Sequence, residues 1–170
     1  MNYSQRERIR RSFRPENVRL LFVGEAPPDS GRFFYCGDSG LYRAMRDAFR
    51  IVIPDITDSS FLGVFQNTGC YLVDLCPVPV DNLPAKSRRA ACREAERTLA
   101  RTIARFKPER IATVVRSIEQ NAIRSASLAN WHSPFLHLPY PGRWSRHKVL
   151  FVSKLEGPIR RLLHTARPSA

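Results

Sequence analysis

No stretch of this 170-residue chain stays apolar for the roughly 20 residues that a membrane-spanning helix requires, so no membrane is expected among its partners. The basic segment 1–14 lacks the apolar centre of a secretory leader, and a cytoplasmic location is expected, where disulfides are rare. Cysteine is scarce. The four present are Cys36, Cys70, Cys76 and Cys92, and no two of them make the Cys-x-x-Cys pair common in zinc sites, so no metal is expected. Acidic residues are few as well: 15 Asp and Glu stand against 28 Lys and Arg, for a net charge of +13. Most of the cations are arginines, whose planar guanidinium suits phosphate. Such a balance favours a polyanionic partner, nucleic acid first among them, although charge alone also fits a generically basic protein.

What is there in quantity is apolar: 43% of the residues, enough to bury a core. A single domain over 1–170 is expected, acting as a monomer, with 1–16 as a basic helical extension at the N-terminus. Segment 4–14 reads as a short helix capped by Ser4, with Glu7 three places on. Strands are expected at 18–24, 70–75, 110–115 and 134–138. Helices are expected at 41–50, 86–106, 117–126 and 158–166, with Pro168 ending the last. Segment 51–65, interrupted by Pro54, Asp55, Asp58 and Gly63, resists assignment. Segment 149–155 fits a strand by its β-branched residues and a helix by Leu150, Lys154 and Leu155. Strands alternating with helices imply an α/β fold: a three-layer α/β/α sandwich around a mostly parallel four-stranded sheet.

Three of the four strands end in a loop rich in proline with acidic or aromatic residues, and parallel strands put such loops on one edge. Ligands of open α/β sheets bind in the crevice there. The first loop runs Val23-Gly24-Glu25-Ala26-Pro27-Pro28-Asp29 and continues through Phe33, Phe34 and Tyr35. It offers one carboxylate for chemistry and three rings for stacking. The second is 76–84, with Pro77 and Pro79. The third is 139–148, with Tyr140, Arg143, Trp144, Arg146, His147 and Lys148.

The first loop, with Gly31-Arg32-Phe33-Phe34 and Gly40-Leu41, resembles the first motif of the uracil-DNA glycosylase superfamily, closest to its iron-sulfur family-four branch. Tyr71 to Pro77 is similar to that family's Y-x-T-N-x-x-K-C-R-P-P, and Pro139-Tyr140-Pro141 falls where its second motif should lie. The resemblance implies hydrolysis of an N-glycosidic bond in DNA, with the base flipped out of the stack. It also implies roles. Glu25 orients or deprotonates the attacking water, and Phe34 stacks on the base. Ala26, Pro27 and neighbouring backbone N–H groups up to Asp29 receive the base carbonyl. Pro77 and Pro79 lie against the DNA backbone, Arg143 and Trp144 fill the gap the base leaves, and Arg146, His147 and Lys148 hold phosphates.

Three departures accompany the likeness. Asp74 stands where the family reads uracil with an asparagine. An ionised carboxylate only accepts hydrogen bonds, so Asp74 suits an amino group, or is a buried protonated acid, or packs away from the base. Leu138 occupies the place of the second-motif histidine, leaving His147 as a possible substitute. Only Cys76 and Cys92 match ligand positions of the four-thiolate cluster, so no iron-sulfur cofactor is expected. The implied function is excision of uracil or another deaminated base. The alternatives are a nucleic-acid-binding relative with little or no activity, and an enzyme acting on a free nucleoside or nucleotide.

Overall fold

A computed structural model describes residues 1–142 and 144–165. Four strands form one parallel sheet: β1 (Leu20–Gly24), β2 (Cys70–Asp74), β3 (Arg110–Thr113) and β4 (Phe135–His137), in the order β2-β1-β3-β4. β1 is central and all five of its residues are buried, as expected for a strand covered on both faces. Helices flank the sheet, giving the expected three-layer α/β/α architecture. They are α1 (Tyr3–Ser12), α2 (Gly40–Val52), α3 (Phe61–Asn67), α4 (Ala85–Phe106), α5 (Glu119–Leu128) and α6 (Ser145–Thr165). α2 packs on α6, and α4 on α5. The chain runs outward from β1 to the edge at β2, returns through α4 to β3, and continues to β4. The order therefore reverses between β1 and β3, where a crevice opens beyond the carboxyl ends.

Most elements lie where hydrophobic spacing puts them; the differences have local causes. α1 begins two residues earlier than Ser4 indicates, because Asn2 and Gln5 form a reciprocal capping box, each side chain bonding the other's backbone N–H at 2.9 Å. α3 emerges from the unassigned 51–65. Thr57 and Ser60 bond each other's backbone N–H groups ahead of it, and Phe61 and Phe65, four apart, bury one face beside Phe22, Phe34 and Phe49. Segment 149–155 is helical: Phe151, Leu155, Ile159 and Leu162 make a buried stripe at helical spacing. That stripe carries α6 through Pro158, so the expected helix at 158–166 is the second half of a longer one. Ala166 and Pro168 lie outside the described residues. The third loop is shorter than its sequence implies, since α6 already begins at Ser145 and takes Arg146, His147 and Lys148 into its first turn. No described helix is long and apolar enough to cross a membrane.

Candidate active site at the carboxyl edge of the sheet

The crevice beyond β1 holds a cavity of about 270 Å³. Glu25, Ala26, Pro27, Pro28, Phe33 and Phe34 line it, with Leu72 and Asp74 from β2, Arg88 from α4, Val114 and Val115 beyond β3, and Tyr140. The loop after β1 is tied to the loop after β2 by Leu75 N–H to Gly24 O and Cys76 N–H to Glu25 O, both 2.8 Å. This fixes the backbone of Glu25 at the cavity floor. Gly24 is required there, because a Cβ would lie 2.7 Å from Oδ1 of Asp74. Tyr35 anchors the aromatic wall: its buried hydroxyl accepts from Leu72 N–H at 2.8 Å and donates to Leu72 O at 3.0 Å, satisfying the outer edge of β2.

Glu25 is 11% exposed and is held by Arg88 through both oxygens. Nε donates to Oε1 at 2.7 Å and Nη2 donates to Oε2. That hydrogen bonding raises the Arg88 pKa further. One helical turn on, Cys92 brings its thiol 3.8 Å from Oε1 of Glu25 and 3.7 Å from the thiol of Cys76. Burial, followed by the charges and the neighbouring thiol around it, pushes Cys76 up to about 12. Cys36 sits on an exposed turn and Cys70 at the opposite end of β2, so the two thiols that meet fall short of the four a cluster needs. Among the described residues no three His, Cys, Asp or Glu side chains gather as metal ligands.

Asp74 lines the same cavity as Glu25, and its partner is one that sequence reading did not supply. Arg10, from α1, donates through Nη2 to Oδ2 of Asp74 at 2.5 Å and also pairs with Glu7. Its guanidinium lies 5.5 Å from the centre of the Phe33 ring, and its Nε is buried with no hydrogen-bond partner. Burial raises the Asp74 pKa and Arg10 pulls it back down. The segment 1–16 therefore contributes more than a basic extension, since it delivers the counter-ion of a cavity residue.

Phe34 forms cavity wall and core at once. It is 4% exposed and meets Tyr35 edge-on at 5.0 Å, with Phe65 behind it at 5.3 Å. Phe33 lines the same wall. Ala26 and Pro27 line the cavity as expected, but the backbone donors of 26–29 are fewer than expected. Pro27 and Pro28 have no N–H, and that of Asp29 is taken by Asp81 at 3.1 Å, which leaves Ala26. Pro77 and Pro79 stand away from this cavity, and the Pro77 carbonyl accepts from Arg6 of α1 at 3.4 Å.

His147 does not join Glu25. It lines a second cavity of about 930 Å³, reached past Arg88, Val115 and Tyr140, which border both. Trp144, 55% exposed, and His137 line this second cavity too. Nδ1 of His137 is 3.0 Å from Oγ1 of Thr113, while Leu138, at the place of the second-motif histidine, is fully buried. Lys148 is paired with Asp47 at 2.7 Å, so its charge is already matched. Arg146 is exposed and borders neither cavity. Arg143 lies outside the described residues.

A family model described as the uracil DNA glycosylase superfamily matches residues 11–169. The chain belongs to that superfamily. No curated protein matches it closely enough to count as a relative. Around this cavity, Arg88, Arg10 and Asp81 are what sequence reading missed. The one signal for Arg88 was its spacing from Cys92, which puts both on one face of α4; Arg10 and Asp81 act across chain distances of 64 and 52 residues.

Proposed function

We propose that this member of the superfamily is a DNA glycosylase that hydrolyses the N-glycosidic bond of a flipped base, uracil or another deaminated base. Within the superfamily we place it nearest the family-four branch, on Gly24-Glu25-Ala26-Pro27, and working without a cluster. The observation that carries the reading is one cavity that joins the Glu25 carboxylate to the Phe33 and Phe34 wall, at the carboxyl edge where α/β sheets bind ligands. In this reading the base enters beside Phe34 and its carbonyl accepts from the Ala26 N–H. The bond from base nitrogen to C1′ breaks, leaving an anionic base and an oxocarbenium-like sugar. Glu25 stabilises the sugar cation and takes a proton from the water that adds its oxygen to C1′. The net charge of +13 attracts DNA to the protein.

Two features favour a second reading, a binding module with little activity: Arg88 occupies both oxygens of Glu25, and a buried Leu138 stands at the place of the second-motif histidine. A gel assay separates them. Oligonucleotides carrying uracil, hypoxanthine, xanthine or mismatched cytosine are incubated with wild type and with Glu25→Ala, then cleaved at abasic sites with alkali. Glycosylase activity predicts cutting by wild type and a loss of at least a hundredfold in Glu25→Ala. DNA bound but no base released by wild type establishes the binding module.

A further inference from the structure

The second cavity is larger than the base pocket, opens beside it, and has no role in the chemistry above. Its walls combine two features that a nucleotide uses. Tyr140 and Trp144 present rings that are 45% and 55% exposed. Gly142 leaves room for the Tyr140 ring, since a Cβ there would lie 2.5 Å from it. Cationic groups stand around the rings: Arg88 at the border with the first cavity, and Arg116 and Lys154, with the His147 ring beside them. Arg116 is exposed and its side chain has no hydrogen bond or ion pair among the described residues, while Lys154 donates to the His137 carbonyl at 3.1 Å. A carboxylate is present too: Glu119, 3.8 Å from Nδ1 of His137, repels phosphate on its side. Phosphate is thereby left to Arg88 and Arg116.

We propose that this cavity is a subsite for the nucleotide next to the flipped one, whose base stacks on Trp144 and Tyr140 while the linking phosphate meets Arg88 and Arg116. The assignment rests on reading the first cavity as the base pocket. Continuity across the shared wall of Arg88, Val115 and Tyr140 is what makes the occupant the neighbour in the same strand. A base that stacks here has left its own duplex partner, so the subsite makes the protein a reader of unpaired DNA. Arg88 is the common element: a phosphate at this wall competes with Glu25 for it and loosens the clamp on that carboxylate.

The test is equilibrium binding of the full chain to dUMP and to the dinucleotides d(UpT) and d(TpU), measured by calorimetry or NMR titration. One dinucleotide is expected to bind about tenfold tighter than dUMP, the size of one base-aromatic stack. Trp144→Ala reduces that gain to about threefold or less, Trp144→Phe keeps it, and Arg116→Ala weakens dinucleotide binding about fivefold. All three variants bind deoxyuridine, which carries no phosphate, as wild type does, which also shows that they fold. Dinucleotides that bind no tighter than dUMP, or a gain that survives Trp144→Ala, overturn the subsite. The glycosylase assay fails or succeeds separately: uracil excision without a dinucleotide gain keeps the enzyme and removes the subsite, and a gain without excision does the reverse.

Discussion

At the scale of single residues, the site is organised by two arginine–carboxylate pairs of different exposure. Arg88 is 38% exposed, so water screens its bond to Glu25 and a phosphate can reach it. The Arg10–Asp74 pair is shut in, each side chain 9% exposed, and losing one partner of such a pair typically costs about 3–5 kcal/mol. Asp74 has a folded-state pKa raised by burial above its unfolded value, so the protonated form suits the fold better than the charged one. Its charge costs stability as pH rises through that raised pKa, and Arg10 offsets the cost. Arg10→Met removes the offset and raises the Asp74 pKa further. Thermal melts should therefore show the variant well below wild type at pH 7, with the gap narrowing as pH falls towards 4 and Asp74 takes a proton. A gap that stays constant over this range means that Arg10 acts only by packing. The cysteines permit a second check. Cys70 and Cys76 are buried with pKa pushed up to about 12, Cys92 is buried and raised as well, and Cys36 is exposed. Maleimide at pH 7.5 should label one thiol per native chain quickly, Cys36, and all four after unfolding.

At the scale of elements, α6 and α1 decide what the sheet edge becomes. The α6 stripe of Phe151, Leu155, Ile159 and Leu162 seats that helix on α2 and so fixes where Trp144 and His147 stand. Phe151 is fully buried; Phe151→Ala should cost about 3–5 kcal/mol, read from urea unfolding with an unchanged slope. A loss under about 1 kcal/mol means α6 is not part of the cooperative core. These elements also show what one-dimensional reading can reach. β1 was legible because a strand covered on both faces needs an unbroken apolar run, and Leu20 to Val23 supply it. α4 was legible from its long series of good helix formers. The 149–155 segment was not: its β-branched Val149 and Val152 suggest a strand while Leu150, Lys154 and Leu155 fit a helix, until packing on α2 selects the stripe that begins at Phe151. α3 was hidden because the mutually bonded Thr57 and Ser60 ahead of it lie among turn formers that read as plain loop.

At the scale of the whole molecule, the surplus of 13 positive charges acts as a field before it acts through any one contact. If about four phosphates are neutralised on binding, affinity for single-stranded DNA should fall on the order of a hundredfold between 50 and 200 mM salt. Filter binding or fluorescence anisotropy measures this. A shallow dependence removes DNA as the partner and brings forward the free-nucleotide enzyme.

The sequence by itself determined the fold class and pointed to the carboxyl edge of the sheet, where the first cavity opens. Alternating strands and helices leave few topologies, and glycine, acid and proline at the end of β1 mark a ligand-binding edge. It also named Glu25 and Phe34, because short loops next to a strand keep the order of the chain. Only the tertiary structure decided the charge partners. Arg88 reaches Glu25 across 63 residues and Arg10 reaches Asp74 across 64. In a chain with 28 cations and 15 acids, every carboxylate has many candidate partners. Coulomb attraction selects among them by distance in space, and distance in space is set by how α1 and α4 dock on the sheet.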